Sequence, residues 1–304
     1  MPEPNLKDFI VNDEIQNALA HGQPVVALES TVITHGLPYP QNIDLARKME
    51  ETIREHGATP ATIALVQGKI RVGVSAQEID ELAQDTALHK ISVRDIGPAL
   101  ALGWSGGTTV ASTSLIAQMA GVRVFATGGI GGVHREPPYD VSADLWQLAQ
   151  TPIIVVCAGA KAILDLPATL EVLETSSVPV VGYQTDYFPA FYSLSSGLPL
   201  SVRVDQPEQV ARIAQSHWGL GLKSAVLVVA PPPAEVALAP EVVQSAIDDA
   251  LREAEASKIR GQAMTPFLLS KVNERTQGAS LKANLGLLLN NARIAALIAV
   301  QLAK

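Results

Sequence analysis

Short apolar, β-branched runs alternate along this 304-residue chain with segments of helical period, and that alternation most limits the folds open to it. A strand buried on both faces reads as a continuous apolar run, and a helix after it returns the chain for parallel pairing. The expected fold class is therefore α/β, a three-layer α/β/α arrangement with a mixed, largely parallel central sheet. Val25-Val26-Ala27-Leu28, Ile153-Ile154-Val155-Val156-Cys157 and residues 122–126, 178–183, 202–204 and 225–229 read as strands, as does Ile91-Ser92-Val93. Residues 62–66 and 70–74 flank Gln67-Gly68-Lys69 and predict a hairpin, which makes the sheet mixed. Helices are predicted over residues 41–56, from the Ser75-x-x-Glu78 capping box, from 109 to about 120, from about 142, from 161 to about 175, and over 207–218, 240–258, 265–274 and 280–304. The triple proline 231–233 is followed by no flexible or charged tract, so residues 1–304 read as a single domain.

Composition narrows the partners. With 47% hydrophobic and 17% charged residues the chain can bury a large core. A formal net charge of −8 argues against nucleic acid or an anionic membrane as the main partner and leaves small molecules. The single cysteine, Cys157, excludes an intrachain disulfide and a cysteine-only metal site, fits a reducing cytoplasm, and reads as a buried packing residue. The first residues lack a basic flank followed by an apolar stretch, so no signal peptide is expected. The apolar stretch 285–302 is interrupted by Asn290, Asn291 and Arg293, which predicts a buried helix over a membrane span.

One lysine stands out. Lys161 follows the strand 153–157 through Ala158-Gly159-Ala160, at an expected helix start. Apolar surroundings and the positive helix end would both lower its pKa, and a neutral amine can form a Schiff base; the ordinary alternative is a solvated first helical residue. Glu29 lies just beyond the first strand, where burial would raise a carboxyl pKa and suit it to acid or base work. Ser105-Gly106-Gly107-Thr108-Thr109-Val110 is a candidate phosphate cradle, although the same residues cap ordinary helices. Thr127-Gly128-Gly129-Ile130-Gly131-Gly132-Val133-His134 fits neither nucleotide-binding fingerprint; it reads as backbone that bends sharply and lets a ligand approach. Asp140 and Asp144 are spaced to offer one carboxylate to a hydrated divalent cation and one to a sugar hydroxyl, or merely to charge a helix start. Lys90 can supply a positive charge to a phosphate, and His134 remains open between anion donor, base and structural histidine. In an α/β sheet ligands collect beyond the carboxyl ends of the strands, where Glu29, the glycine run and Lys161 all fall.

These segments together carry a resemblance. Ala27-Leu28-Glu29-Ser30-Thr31, His35-Gly36-Leu37-Pro38-Tyr39-Pro40-Gln41-Asn42, the 105–110 and 127–134 runs, Ser142-Ala143-Asp144-Leu145, residues 155–161, Gly182-Tyr183-Gln184-Thr185, Thr265-Pro266-Phe267-Leu268-Leu269 and Ser280-Leu281-Lys282-Ala283-Asn284 resemble, nearly end to end, the pseudouridine-5′-phosphate glycosidases, also called indigoidine synthase A-like proteins. The run from His134 to Asp140 is shorter than its counterpart there. The resemblance implies reversible conversion of pseudouridine 5′-phosphate and water into uracil and ribose 5-phosphate, a homotrimer, and one divalent ion, usually Mn2+, per subunit. It implies Lys161 as the nucleophile on C1′, Glu29 as proton donor and Asp140 as the metal-linked carboxylate. Lys90, Thr109, Val110, His134, Ser142, Ala143, Asp144 and Asn284 would line the substrate.

The chemistry asks for such parts. The base of pseudouridine is joined through carbon, so protonating a leaving oxygen or nitrogen, as two-carboxylate glycosidases do, cannot release it. A lysine imine at C1′ of the opened sugar offers the missing electron sink. A Schiff-base aldolase on sugar phosphates and a non-catalytic sugar-phosphate sensor are the competing readings; no helix-turn-helix or basic segment supports the sensor.

Overall fold

The computed structural model describes residues 6–135, 140–259 and 264–304. The N-terminal residues 1–5 and the 136–139 part of the His134 to Asp140 run lie outside the described residues.

Seven strands pair in parallel in the order Thr59–Val66, Val25–Leu28, Val124–Ala126, Ile154–Cys157, Val226–Val229, Val180–Tyr183 and Arg203–Val204. The four-residue strands at 25–28, 154–157 and 226–229 are buried at every position, which is why each reads as an unbroken apolar run. At one edge Lys69–Val72 pairs antiparallel with Thr59–Val66, Val66 opposite Lys69, so the predicted hairpin is present. Gly106–Thr108 also runs antiparallel to Thr59–Val66 and pairs in parallel with His89–Ile91, and Phe9–Val11 extends the edge beside Lys69–Val72. The result is a mixed, largely parallel sheet between two helical layers.

Helix Ala279–Leu302 lies across strands 25–28, 124–126 and 154–157, flanked by helices Gln41–Glu55 and Pro207–Gly219. It is long and apolar enough to cross a membrane, but Leu287, Leu288, Ile294 and Ile298 are buried within the protein. Helices Val110–Met119 and Ala143–Leu148 pack on each other, and the first also touches strands 25–28 and 59–66. Cys157 is wholly buried and its thiol pKa is pushed up to about 12, as expected of a packing residue.

Two local expectations are corrected. Residues 91–93 do not form a strand: pairing occurs over His89–Ile91, and Ser92 caps a helix, Val93–Leu102, by a reciprocal exchange with Asp95. No helix starts at Lys161. The chain first forms a short antiparallel pair, Leu164–Asp165 with Val133–His134, and the helix begins only at Leu166, capped by the Asp165 carboxylate. Lys161 therefore lies five residues before the helix start, away from its positive end.

Candidate active site

Strand order reverses beside Val25–Leu28: the chain next adds strands on one side of it, then returns to add 124–126, 154–157 and 226–229 on the other. Open α/β sheets bind ligands at such a switch point, beyond the carboxyl ends. Here Glu29, Thr127 and Ala158 directly follow three neighbouring strands.

Glu29 is 8% exposed. Its Oε1 accepts a hydrogen bond from Thr127 Oγ1 and its Oε2 one from Thr31 Oγ1, so both oxygens are oriented by hydroxyls. Next comes a π-helical turn, Val32–Gly36, which turns Val32, His35 and Gly36 into the cavity wall. Such turns concentrate at functional sites.

Lys161 is placed by backbone zipping between two loops. Ala158 N–H donates to Gly128 O (2.9 Å), Ile130 N–H to Gly159 O (3.0 Å) and Lys161 N–H to Ile130 O (3.1 Å), extending the pairing of strands 124–126 and 154–157 beyond their ends. Asn291, fully buried on helix Ala279–Leu302, donates from Nδ2 to Thr127 O at 2.8 Å and pins the same turn. None of the glycines at 128, 129, 131 and 132 adopts the left-handed conformation. The run is needed for close packing: a Cβ at Gly131 would overlap the Ser142 hydroxyl, and one at Gly129 would stand 2.6 Å from the Phe191 ring. The expected bend thus uses no left-handed glycine, while Gly128, Gly129 and Gly131 do line the cavity walls, as expected of backbone that a ligand approaches. Gly159, with φ +84°, is the one nearby glycine whose backbone requires it.

Asp144 ties the phosphate-cradle candidate to the glycine run. It is 6% exposed; Oδ1 accepts from Ala111 N–H (2.9 Å) and Oδ2 from Gly131 N–H (2.7 Å). Thr109 and Ser142 cap the helices that start at Val110 and Ala143. Lys90 lies mid-strand opposite Gly107. Among the described residues neither Lys90 nor Lys161 has a carboxylate within salt-bridge distance. The Lys90 pKa is lowered, chiefly by burial and then by the Lys161 charge, with Asp144 and Glu29 opposing. The backbone N–H of His134 donates to the Asp140 backbone carbonyl at 2.9 Å. Its ring pKa is lowered by burial against the upward pull of Asp140, with Lys161 and Lys90 adding to the decrease.

These residues surround one cavity of about 370 Å3. Glu29, Lys90, Thr109, Val110, His134, Asp140, Ser142, Ala143, Asp144 and Lys161 all line it. Asn284 lies in an adjoining hollow of about 70 Å3 that shares Glu29, Thr31, Lys90, Lys161 and Thr265 with the larger cavity. The residues expected to be catalytic, substrate-lining or metal-linked thus line these two adjoining spaces.

Others were not singled out. Arg94 and Ser92 open the unforeseen helix and line the main cavity, and the Ser92-x-x-Asp95 spacing was the available signal. Thr31 and Thr127 orient Glu29 but carry no mark as short-range polar neighbours. Phe191 lines the hollow with a left-handed backbone, φ 61°, uncommon for an aromatic residue and invisible in sequence.

Among the described residues no group of three His, Cys, Asp or Glu side chains could enclose a metal. Asp144 is committed to backbone amides and Glu29 to two hydroxyls, which leaves Asp140 as the cavity carboxylate without a side-chain hydrogen bond among the described residues. That donor set fits a hard ion held by one carboxylate, waters and a substrate phosphate, and no all-protein cage.

The family model for indigoidine synthase A-like protein matches residues 14–301. A pseudouridine-5′-phosphate glycosidase of Herpetosiphon aurantiacus is 55% identical over 296 residues, 97% of this chain and 98% of that protein. One from Caldanaerobacter subterraneus subsp. tengcongensis is 51% identical over 97% of this chain and 96% of its own. Among solved structures, the prealnumycin C-glycosynthase AlnA in complex with ribulose 5-phosphate superposes with a TM-score of 0.90 at 41% identity, covering 98% of this chain and 97% of that one. An indigoidine synthase A-like protein of Thermotoga maritima gives 0.90 at 36% identity, covering 97% of each chain.

Proposed function

The chain belongs to the indigoidine synthase A-like family, and from that membership we propose that it is a pseudouridine-5′-phosphate glycosidase, cleaving the C–C glycosidic bond to uracil and ribose 5-phosphate. The observation that carries this reading is the joint placement of Glu29, Lys90 and Lys161 around one cavity at the switch point of the sheet.

In the proposed reaction Lys161 Nζ bonds C1′ as the C1′–O4′ bond breaks, O4′ taking a proton to leave the sugar ring-opened. Glu29 delivers a proton to the uracil carbon that bears the sugar. The C1′–C bond then breaks, its electrons restoring the ring double bond, while the lysine nitrogen lone pair takes up the deficit at C1′ as an iminium. Water hydrolyses the iminium and returns the amine. The hydroxyls of Thr127 and Thr31 hold the carboxylate in place. The phosphate suits the part of the main cavity lined by Lys90, Arg94 and Thr109, where helices Val93–Leu102 and Val110–Met119 begin. Its contacts supply binding energy remote from the reacting bond.

The assignment of Ser142, Ala143, Asp144 and His134 to substrate binding rests on the same cavity walls, and that of Asn284 on the adjoining hollow. A single Mn2+ at Asp140 would neutralise phosphate charge. A homotrimer is the assembly the family implies; the exposed Trp146, Val141 and Leu102 offer apolar surface for it. A cytoplasmic setting fits the lone buried Cys157.

The decisive experiment incubates the protein with pseudouridine 5′-phosphate, quantifies uracil and ribose 5-phosphate, and then adds borohydride. Equimolar release with a pentose phosphate fixed to Lys161 supports the reading. Cleavage within the sugar chain would point to an aldolase, and intact ligand after long incubation to a sensor.

A further inference from the structure

Ser30, directly after Glu29, is wholly buried, and both its hydroxyl and its carbonyl are engaged. The hydroxyl donates to Ile63 O at 2.6 Å and accepts from Thr108 N–H at 2.9 Å. Thr108 Oγ1 donates to the same Ile63 carbonyl at 2.7 Å, and Thr113 Oγ1 donates to Thr108 Oγ1 at 2.9 Å. The Ser30 carbonyl accepts from Ile33 N–H and Thr34 N–H, both at 3.0 Å, and from Thr34 Oγ1 at 3.2 Å, which starts the π-helical turn of the cavity wall. Strand Gly106–Thr108 reaches Ser30 so closely that a Cβ at Gly107 would stand 2.9 Å from its carbonyl carbon and oxygen.

This contact completes a circuit around the cavity floor. Thr127 joins the end of strand Val124–Ala126 to Glu29. Asp144 joins the glycine run to the start of helix Val110–Met119, through Gly131 and Ala111. Ser30 joins Thr108, one residue before the Thr109 cap of that helix, back to Glu29. Lys161 is fastened to the glycine run by backbone pairing with Ile130. Opening the circuit at Ser30 therefore leaves Lys161, Asp144 and the Thr109 cap tied to one another, and loosens the Glu29 segment from the phosphate end. We propose that Ser30 is a positioning residue for proton delivery: it fixes how far the Glu29 carboxyl stands from a pentose anchored through its phosphate. This rests on the glycosidase reading above and divides that site into a half that holds the sugar and a half that moves the proton. Thr127 and Thr31 orient the carboxyl, and Ser30 sets its place along the cavity. A reacting group displaced by about 1 Å can lose roughly a hundredfold in rate.

The test compares the parent with Ser30→Ala, which removes the hydroxyl, and with Thr113→Val, which removes a hydroxyl from the same buried network and leaves the contact between Ser30 and Thr108 in place. Turnover of pseudouridine 5′-phosphate reads proton delivery and cleavage together. Borohydride fixation of ribose 5-phosphate on Lys161 reads the sugar-holding half by itself, because no uracil takes part in it. In Ser30→Ala kcat should fall by about tenfold or more, with KM and the fixation rate within about twofold of the parent. Thr113→Val should lower the urea midpoint, having lost a buried hydrogen bond, and keep kcat within about twofold of the parent. Ser30→Cys keeps a weak donor and acceptor, should fall between parent and Ser30→Ala, and carries the same comparison if Ser30→Ala does not fold. Losses of equal size in kcat and in fixation, or a loss of kcat in Thr113→Val as large as in Ser30→Ala, overturn the proposal and assign the network to stability alone. Failure of both Ser30 variants to fold does the same. Unchanged kcat in Ser30→Ala overturns it and leaves the glycosidase reading standing, whereas absence of uracil release by the parent overturns both.

Discussion

Thr127 Oγ1 hydrogen-bonds Glu29 Oε1 across 98 residues of sequence, joining the ends of two adjacent parallel strands at the floor of the cavity. Thr127 is itself fully buried, and its carbonyl is held by Asn291 from the helical layer. Sheet, glycine run and C-terminal helix therefore meet at one carboxylate.

Thr127→Val removes the hydroxyl at nearly constant volume and leaves Glu29 Oε1 without that donor. The expected cost is about 1–3 kcal/mol in the barrier to cleavage, read as a kcat reduction of roughly tenfold to a hundredfold with little change in KM. Steady-state kinetics on pseudouridine 5′-phosphate checks this; a change in KM alone would assign Thr127 to binding.

Asp144→Asn keeps shape but replaces one acceptor oxygen by an NH2 group facing a backbone N–H, either of Ala111 or of Gly131. A loss of about 1–3 kcal/mol in unfolding free energy follows, because one buried amide loses its partner. Urea titration measures it. The same variant should raise KM for the phosphate ester, since the start of helix Val110–Met119 is released from the glycine run.

His35 and His134 both have ring pKa values lowered from 6.5, chiefly by burial. A depressed folded-state pKa means that the unfolded chain binds more protons in the interval between the two values, so stability rises with pH there. The contribution is complete above pH 6.5 and is lost as pH falls through the folded-state values. The urea midpoint should therefore drop as the pH falls below about 6.5, and the drop should shrink in His35→Gln and His134→Gln. A pH-independent midpoint in the parent would contradict the stated environments.

Lys90→Gln removes an ammonium that faces the cavity with no carboxylate within salt-bridge distance among the described residues. Its effect should fall on KM for the phosphate ester by about 1.5–3 kcal/mol, the range for a hydrogen bond to a charged group, with a smaller effect on kcat. The free nucleoside pseudouridine, lacking the phosphate, should discriminate little between the parent and the variant.

Chelation followed by Mn2+ titration tests Asp140. With a single carboxylate as its protein anchor, Asp140→Asn should shift the Mn2+ concentration for half-maximal activity upward by about tenfold or more. An unchanged titration would remove Asp140 from the metal site.

The layered α/β fold was legible because strands buried on both faces must be continuous apolar runs, and Val25–Leu28, Ile154–Cys157 and Val226–Val229 are. The hairpin and the Ser75 cap were legible for a similar reason, since turn and capping chemistry is local. Glu29 and Lys161 were legible as polar residues just beyond such runs. What sequence could not supply was anything set by strand order or by contacts between distant segments. The reversal beside Val25–Leu28 decides that Glu29, Thr127 and Lys161 share one floor, and no local pattern encodes it. Backbone pairing of Ile130 with Gly159 and Lys161 holds the lysine in a loop where periodicity suggested a helix. The commitment of Asp144 to two amides and the packing role of the glycine run likewise exist only once the layers have packed, because each depends on groups that meet through folding alone.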